Sequence, residues 1–357
     1  MNTQIQWKVL AEKVDSQRMI ALLESFPDQI AEAERLGAAC DLSRLSTPPR
    51  SVIFVGMGGS AMAGDLMSLL GADFQTVPLE VVRSYSLPHW VGPNTLVVGL
   101  SYSGQTEETL TAFQEARRRG ADVLAVTSGG QLAAFCEREN LPCLRIPNGR
   151  PPRTALGYLF IPLLLIFHRL GIFSNLREAL DECLALSRKK VQEFCLESEE
   201  AANPAKQVAL KLWKRLPVFY ASTHLAPVAL RWKAQINENA KQHAFWNVLP
   251  EMNHNEIVGW QMSGQEAVRK YLQPVFLQDS QELPPLRRRL KITERILREK
   301  GFKVIQLKTE GRSRLARIFS LILWADFTSY YLSLLNEVDP TPISVIDSLK
   351  KQLQENR

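Results

Sequence analysis

The chain has 357 residues, more than the roughly 100–200 of one typical domain, so we expect two domains. Its composition, 45% hydrophobic and 22% charged, is typical of a globular protein and argues against a disordered or fibrous chain. The net charge of +6 suits small anionic substrates, and without a dense basic stripe it does not predict nucleic-acid binding.

Cysteine usage and the apolar segments bear on location. The five cysteines include no CxxC pair, which disfavours a disulfide framework or a zinc site and favours a reducing compartment, the cytoplasm. Residues 1–19 lack the apolar stretch of a signal peptide. The most apolar segment, 155–167, is too short to span a bilayer and predicts a buried helix, so we expect no membrane association.

In chain order, residues 1–45 are predicted to form a polar helical arm. Short β-branched runs then alternate with helical patterns, and the half closes with an apolar helix from about Arg153. Strands are predicted at 51–56, 79–83, 95–101, 122–127 and 143–147. Strands that alternate with helices indicate a parallel sheet with crossover helices.

The second half repeats this rhythm after a charged helical connector. Strands are predicted at 216–222, 271–279 and 303–308, and a long buried helix at 313–335. We therefore predict a duplicated α/β fold. The predicted segments are an N-terminal arm (1–45), a first α/β domain (46–173), a helical connector (174–210), a second α/β domain (211–335) and a C-terminal segment (336–357).

Two loops between strands and helices have the composition of anion sites. Residues 56–64, GMGGSAMAG, carry glycines that let backbone N–H groups approach an anion beside a helix N-terminus. Residues 101–109, SYSGQTEET, add four hydroxyl side chains, and Ser103 could instead cap the following helix. Taken alone, the hydroxyl loop is explained equally well as a helix cap and as an anion site. Two of them in one parallel sheet favour an anion site.

A dinucleotide site is the rival interpretation of the first loop. Residues 56–61 also fit the looser G-x-G-x-x-A pattern. NAD binding favours an acid at the end of the second strand, where this chain has Arg83, Ser84 and Tyr85. An arginine there could serve NADP, so the rival is weakened but not removed. The chain has no G-x-x-x-x-G-K-[ST] phosphate loop.

Five motifs in one order make the chain resemble a known family. They are GMGGSAMAGDL, SYSGQTEETL, PPRTALGY, INENAK and NVLPEMNHNEIVGW. Together they resemble the bifunctional phosphoglucose/phosphomannose isomerase family, which belongs to the sugar isomerase (SIS) domain group. The resemblance implies two SIS domains, each a flavodoxin-like parallel sheet flanked by helices. It also implies metal-independent and cofactor-independent interconversion of hexose 6-phosphates through a cis-enediol.

The resemblance also implies roles for particular residues. The phosphate-binding positions carry over onto Gly59, Ser60, Ser101, Ser103 and Thr106.

The proton-transferring base implied by the resemblance is Glu238. Since Glu238 lies near the end of a predicted helix from Pro227, the negative helix end disfavours its charged form and makes it a better proton acceptor. Glu251 and Glu256 remain competing acids, because spacing alone does not exclude them.

Ring opening is assigned by the resemblance to His254 and Lys350. A histidine suits proton transfer near neutral pH. His243 is a nearby alternative to His254, and Lys351 leaves the position of the lysine uncertain by one residue. In the family the histidine reaches the active site of the neighbouring subunit, which implies a homodimer with shared sites.

The arginine implied to stabilise the enediolate is Arg153, with Arg150 as the alternative. A guanidinium beside the reacting oxygens stabilises developing negative charge. Thr341 or Ser344 could line the space needed to accept both glucose and mannose 6-phosphate. The alternative functions are a non-catalytic sugar-phosphate-binding SIS protein, an NADP-dependent oxidoreductase and the isomerase half of an amidotransferase-type synthase.

Overall fold

The computed structural model describes residues 5–45, 49–71, 77–174, 176–261 and 266–355. The chain forms two units, each built around one parallel sheet. The first-sheet unit comprises Ser25–Arg188 and Glu310–Ser320, and the second-sheet unit comprises Met1–Glu24, Lys189–Thr309 and Leu321–Arg357. The domain boundary predicted at residue 46 lies outside the described residues, and the other predicted domain boundaries stay predictions.

Strands and helices alternate along both units. The strands are β1 (Ser51–Gly56), β2 (Leu79–Val82), β3 (Thr95–Leu100), β4 (Asp122–Thr127), β5 (Cys143–Arg145), β6 (Leu216–Ser222), β7 (Phe245–Leu249), β8 (Leu272–Gln278) and β9 (Ile305–Lys308). The helices are α1 (Trp7–Val14), α2 (Met19–Glu24), α3 (Phe26–Ala39), α4 (Gly58–Gly71), α5 (Glu107–Arg118), α6 (Gly130–Glu139), α7 (Leu156–Arg169), α8 (Leu176–Phe194), α9 (Pro204–Leu212), α10 (Ala226–Asn239), α11 (Glu266–Tyr271), α12 (Pro284–Glu299), α13 (Arg314–Leu335) and α14 (Ser344–Glu355).

The first sheet is entirely parallel, with strand order β2-β1-β3-β4-β5. Its central strands β1 and β3 are buried on both faces, as their continuous β-branched runs require. Phe113 of α5 packs against Gly99 of β3, where a Cβ atom would lie 2.6 Å from the ring. This order is the flavodoxin-like one expected from the sequence.

The second sheet is also parallel, with strand order β7-β6-β8-β9. One face packs around Tyr220, Phe276 and Leu290. Edge strand β7 was not predicted from the sequence. Its sequence, FWNVL, lacks the alternation of apolar and polar residues by which a half-buried strand is recognised, and Phe245 and Trp246 are exposed in the structure.

Helix α13 is long and apolar enough to cross a membrane by length and composition alone. However, 89% of its most apolar window is buried inside the protein. Asp326 of this helix forms a two-point ion pair with Arg231 of α10, with N–O distances of 3.0 and 2.8 Å. A buried core helix accounts for these properties.

Candidate active site

The glycine loop after β1 and the hydroxyl loop after β3 lie side by side. Strands β1 and β3 are neighbours in the sheet, although β2 lies between them in sequence. In open parallel sheets, ligands bind outside the carboxyl ends of the strands at such a switch point. The fold therefore places both loops of the predicted anion site at one edge of the first sheet.

Hydrogen bonds tie the two loops together. The backbone N–H of Tyr102 donates to Ser60 Oγ at 3.1 Å, which links the glycine loop to the hydroxyl loop. Within the hydroxyl loop, Ser101 Oγ donates to Thr106 Oγ1 at 2.9 Å. Ser60 and Ser101 are buried, so their side chains are held in fixed positions.

The hydroxyl loop has a backbone shape that requires glycine. Gly104 has φ +65°, in the left-handed region. A Cβ atom there would lie 1.8 Å from the carbonyl oxygen of Gly129. The Gly104 carbonyl accepts a hydrogen bond from the N–H of Leu132 at 3.0 Å, and the Tyr102 carbonyl accepts one from the N–H of Ser128 at 2.9 Å. The loop is therefore fixed against the start of α6.

The structure corrects one detail of the hydroxyl loop. Helix α5 begins at Glu107 with Thr106 as its N-cap residue, so Ser103 does not cap the helix. Ser103 Oγ instead accepts a hydrogen bond from the N–H of Gln105 at 3.2 Å, and the residue is exposed. The N-terminal N–H groups of α5 follow directly, and they favour an anion at this position.

Arg153 adjoins the glycine loop. It lies in a short 3-10 turn, Pro152–Thr154, and is only 3% exposed. A Cβ atom on Gly59 would lie 3.4 Å from the backbone nitrogen of Arg153, so these two backbones are in contact. The alternative, Arg150, stacks its guanidinium over the ring of Tyr158 at 5.1 Å. The first-sheet unit thus gathers Arg153 and the five predicted phosphate-binding residues at one edge of its sheet.

Glu238 lies in the second-sheet unit, in the last turn of α10, as the sequence predicted. It lines a cavity of about 550 Å³ between the end of α10 and the segment that leads into α14. Lys241 Nζ donates to the carbonyl oxygens of Glu238 at 2.6 Å and Pro340 at 3.2 Å. This lysine therefore joins the end of α10 to the C-terminal segment.

The other predicted residues of the second-sheet unit lie elsewhere. His254 is exposed at the end of the 3-10 turn Glu251–His254, and Lys350 is exposed on α14. Neither is among the described residues that line the Glu238 cavity, whereas His243 is. Lys351 lies 3.7 Å from Glu355 in an ion pair within α14.

Comparison with known proteins identifies the family. Residues 47–145 match the family model "SIS domain", and residues 201–353 match "Bacterial phospho-glucose isomerase C-terminal SIS domain". The chain is 38% identical over 338 residues to the bifunctional phosphoglucose/phosphomannose isomerase of Caldicellulosiruptor bescii, covering 94% of this chain and 99% of the relative. It is 35% identical to the corresponding protein of Aquifex aeolicus, with coverages of 88% and 94%.

The chain belongs to the bifunctional phosphoglucose/phosphomannose isomerase family. The predicted family, the fold of two SIS domains and the isomerase class are thereby confirmed. A solved structure of a hypothetical protein from Thermus thermophilus has the same fold, with a TM-score of 0.72 at 18% identity over 98% of this chain and 93% of that one.

The second sheet has a crevice at the carboxyl ends of β6 and β8 that corresponds to the β1/β3 crevice of the first sheet. Its side chains differ in charge. The loops after β6 and β8 bring together His224, Asp279 and Glu282. Ser222 Oγ donates to the Glu282 carboxylate, and Thr309 Oγ1 donates to Asp279 at 3.1 Å. Two buried carboxylates disfavour a phosphate, whereas the crevice of the first sheet has none among the residues predicted to bind it.

Sequence reasoning missed two residues of the isomerase fold that hold predicted site residues. Lys241 joins Glu238 to the C-terminal segment, and Tyr102 supplies the N–H that links the two loops. Both lie inside the motifs that carry the family resemblance. Position within those motifs was therefore the available signal, although the partners of these residues depend on the fold.

Proposed function

We propose that this chain interconverts glucose 6-phosphate, and also mannose 6-phosphate, with fructose 6-phosphate. The observation that carries the proposal is the pair of tied loops at the β1/β3 edge, rich in glycine and hydroxyl groups, in a member of this isomerase family. Backbone N–H groups, hydroxyls and a helix N-terminus together match the needs of a phosphate dianion.

In this proposal the phosphate is bound by Gly59, Ser60, Ser101, Ser103 and Thr106. Their fixed geometry anchors one end of the sugar, so that the carbons C1 and C2 are held for reaction. Arg153 lies at the same edge of the sheet. Its permanently charged guanidinium would stabilise the enediolate oxygens.

Glu238 is proposed as the base that moves a proton between C2 and C1. One carboxylate can serve both carbons, because its oxygens reach the two neighbouring positions of a cis-enediol. Neither competing acid has the same setting. Glu256 accepts hydrogen bonds from Tyr220 and Asn247, and Glu251 accepts one from Asn255 Nδ2 at 2.8 Å. Glu238 is among the described residues that line the cavity at the end of α10, and the two competing acids are not.

The cyclic sugar must open before this step. Opening breaks the bond from C1 to the ring oxygen, takes the proton of the anomeric hydroxyl and delivers a proton to the ring oxygen. His254 and Lys350 are proposed to carry these proton transfers. The exposure of His254 suits a homodimer in which it serves the site of the neighbouring subunit. A cytoplasmic location is part of the same proposal.

The proposal is tested by incubating the purified protein with fructose 6-phosphate in the presence of EDTA and measuring both aldose 6-phosphates. We expect both products, and we expect Glu238→Gln to reduce their formation by at least about 100-fold, the scale of general-base catalysis. A strict requirement for an added metal ion, or an unaffected Glu238→Gln variant, would contradict the mechanism.

The alternative functions predict different results, in this assay or in a titration with nicotinamide cofactor. A non-catalytic sugar-phosphate binder would bind fructose 6-phosphate without forming an aldose. An NADP-dependent oxidoreductase would bind nicotinamide cofactor at the glycine loop. Against this, Arg83 forms an ion pair with Asp65 of α4.

A further inference from the structure

The turn that carries His254 is anchored by a network of polar side chains. The carboxylate of Glu256, two residues beyond His254, accepts hydrogen bonds from the hydroxyl of Tyr220 and from Asn247 Nδ2, the latter at 2.5 Å. The Tyr220 hydroxyl in turn accepts a hydrogen bond from Trp260 Nε1 at 2.9 Å. Glu256 is therefore the acceptor at the centre of this network.

The donors are held by the sheet and the core. Tyr220 of β6 and Asn247 of β7 are direct register partners on neighbouring strands, so both project to the same face. Tyr220 is fully buried and Trp260 is 5% exposed, within the core cluster of the second sheet. Burial and the adjacent Glu256 carboxylate raise the pKa of Tyr220, so its hydroxyl stays protonated and remains a donor.

A second anchor lies on the other side of His254. Asn253 Nδ2 donates to Thr293 Oγ1 of α12 at 2.9 Å, and the preceding Met252 is fully buried. The residue before His254 is thus fixed to α12, and Glu256, two residues after it, is fixed to β6 and β7. His254 itself is exposed between these two anchors.

We propose that Glu256 is a positioning residue for ring opening: it holds the turn in the one conformation that presents His254 to the sugar. The inference rests on the proposed function, since it presupposes that His254 takes part in ring opening. A carboxylate suits this place because its two oxygens accept from both the Tyr220 hydroxyl and Asn247 Nδ2 at once. Glutamine has the same side-chain length, but its N–H₂ group would face one of these two donors. That donor would then lose the acceptor of its hydrogen bond.

The test separates ring opening from proton transfer between carbons. In a Glu238→Gln background, isomerisation is slowed at least about 100-fold, while the exchange between the α and β anomers of glucose 6-phosphate still requires ring opening. NMR exchange spectroscopy measures this catalysed anomer exchange. We expect Glu256→Gln, added to that background, to slow it by about 10- to 100-fold, because a misplaced acid–base group loses much of its contribution. Binding of fructose 6-phosphate should change less than about threefold.

Two tyrosine variants keep the test decisive if Glu256→Gln folds poorly. Tyr220→Phe removes one donor to Glu256 and is expected to slow anomer exchange about 5- to 10-fold, the size of one hydrogen bond. Tyr331→Phe is the matched control. Tyr331 is fully buried and its hydroxyl donates to the carbonyl oxygen of Phe194 at 2.6 Å, so it loses a comparable bond without altering the His254 turn.

The outcomes distinguish a failure of the Glu256 positioning role from a failure of the proposed isomerase function. If the unmodified protein does not isomerise fructose 6-phosphate, the proposed function fails. If it does isomerise, but Glu256→Gln and Tyr220→Phe retain full anomer exchange, the positioning role is overturned. Equal slowing of anomer exchange by Tyr220→Phe and Tyr331→Phe would also overturn it, since a general loss of stability would then explain the effect.

Discussion

Replacing Gly104 by alanine tests whether the shape of the hydroxyl loop is what binds phosphate. The residue has φ +65°, which costs an alanine about 1–2 kcal/mol. The added Cβ would also lie 1.8 Å from the Gly129 carbonyl oxygen, whereas real Cβ contacts begin near 3.0 Å. Because that neighbour is backbone, the loop must move by more than an ångström. A displacement of this size costs about 100-fold in an organised site.

The control for this variant is Gly171→Ala. Gly171 has φ +72°, but its Cβ would meet nothing within 4 Å, and it follows the far end of α7 from Arg153. Gly171→Ala therefore has the energetic cost of the left-handed backbone conformation but no steric clash. Urea unfolding should show a loss of about 1–2 kcal/mol for Gly171→Ala and more for Gly104→Ala.

Steady-state kinetics with fructose 6-phosphate then separate the two variants. We expect kcat/KM to fall about 100-fold for Gly104→Ala and to stay within about twofold for Gly171→Ala. The reasoning is refuted if Gly104→Ala folds and keeps the kcat/KM of the unmodified protein.

Three further predictions concern the ion pair, a buried thiol and the cavity. Asp326→Ala should destabilise the fold by about 3–5 kcal/mol in urea unfolding, because it leaves Arg231 buried without its carboxylate partner, and Arg231→Met with Asp326→Leu should recover most of that loss. Burial raises the pKa of Cys183 from 9.0 to about 12, so its stabilising contribution is complete below pH 9 and is lost as the pH rises toward 12. The difference in unfolding free energy between the unmodified protein and Cys183→Ala should therefore fall by about 1.4 kcal/mol from pH 8 to pH 10. Ser344 lines the cavity with Glu238, so Ser344→Gln should reduce activity toward glucose 6-phosphate and mannose 6-phosphate unequally, and equal losses would remove that role.

The phosphate-site candidates could be found from sequence because their signal is local. A strand, a loop rich in glycine or hydroxyl groups and a helix follow one another within about 20 residues in each case, and the strand order then brings the two loops together. The position of Glu238 near a helix end was predicted for the same reason, since helix ends leave a local pattern.

The contacts around His254 could not be found in this way. Tyr220, Asn247 and Glu256 meet only because β6 pairs with β7 in one register. That pairing was not found from sequence because the run FWNVL of β7 does not alternate between apolar and polar residues. Glu256 was left as a possible base because sequence spacing does not reveal that its carboxylate already accepts two hydrogen bonds.

The two sheets show why strand order alone does not make a phosphate site. In each sheet, loops follow two adjacent central strands and lead into helices. The N-terminus of such a helix stabilises an anion by about 0.3–1 kcal/mol. In the second sheet, Asp279 and Glu282 lie at that edge. A phosphate that came within about 4 Å of one such carboxylate would be repelled by about 4 kcal/mol at the effective dielectric constant typical of a protein surface, which is more than the helix contributes. Side-chain charge therefore supports our proposal that phosphate binds at the edge of the first sheet.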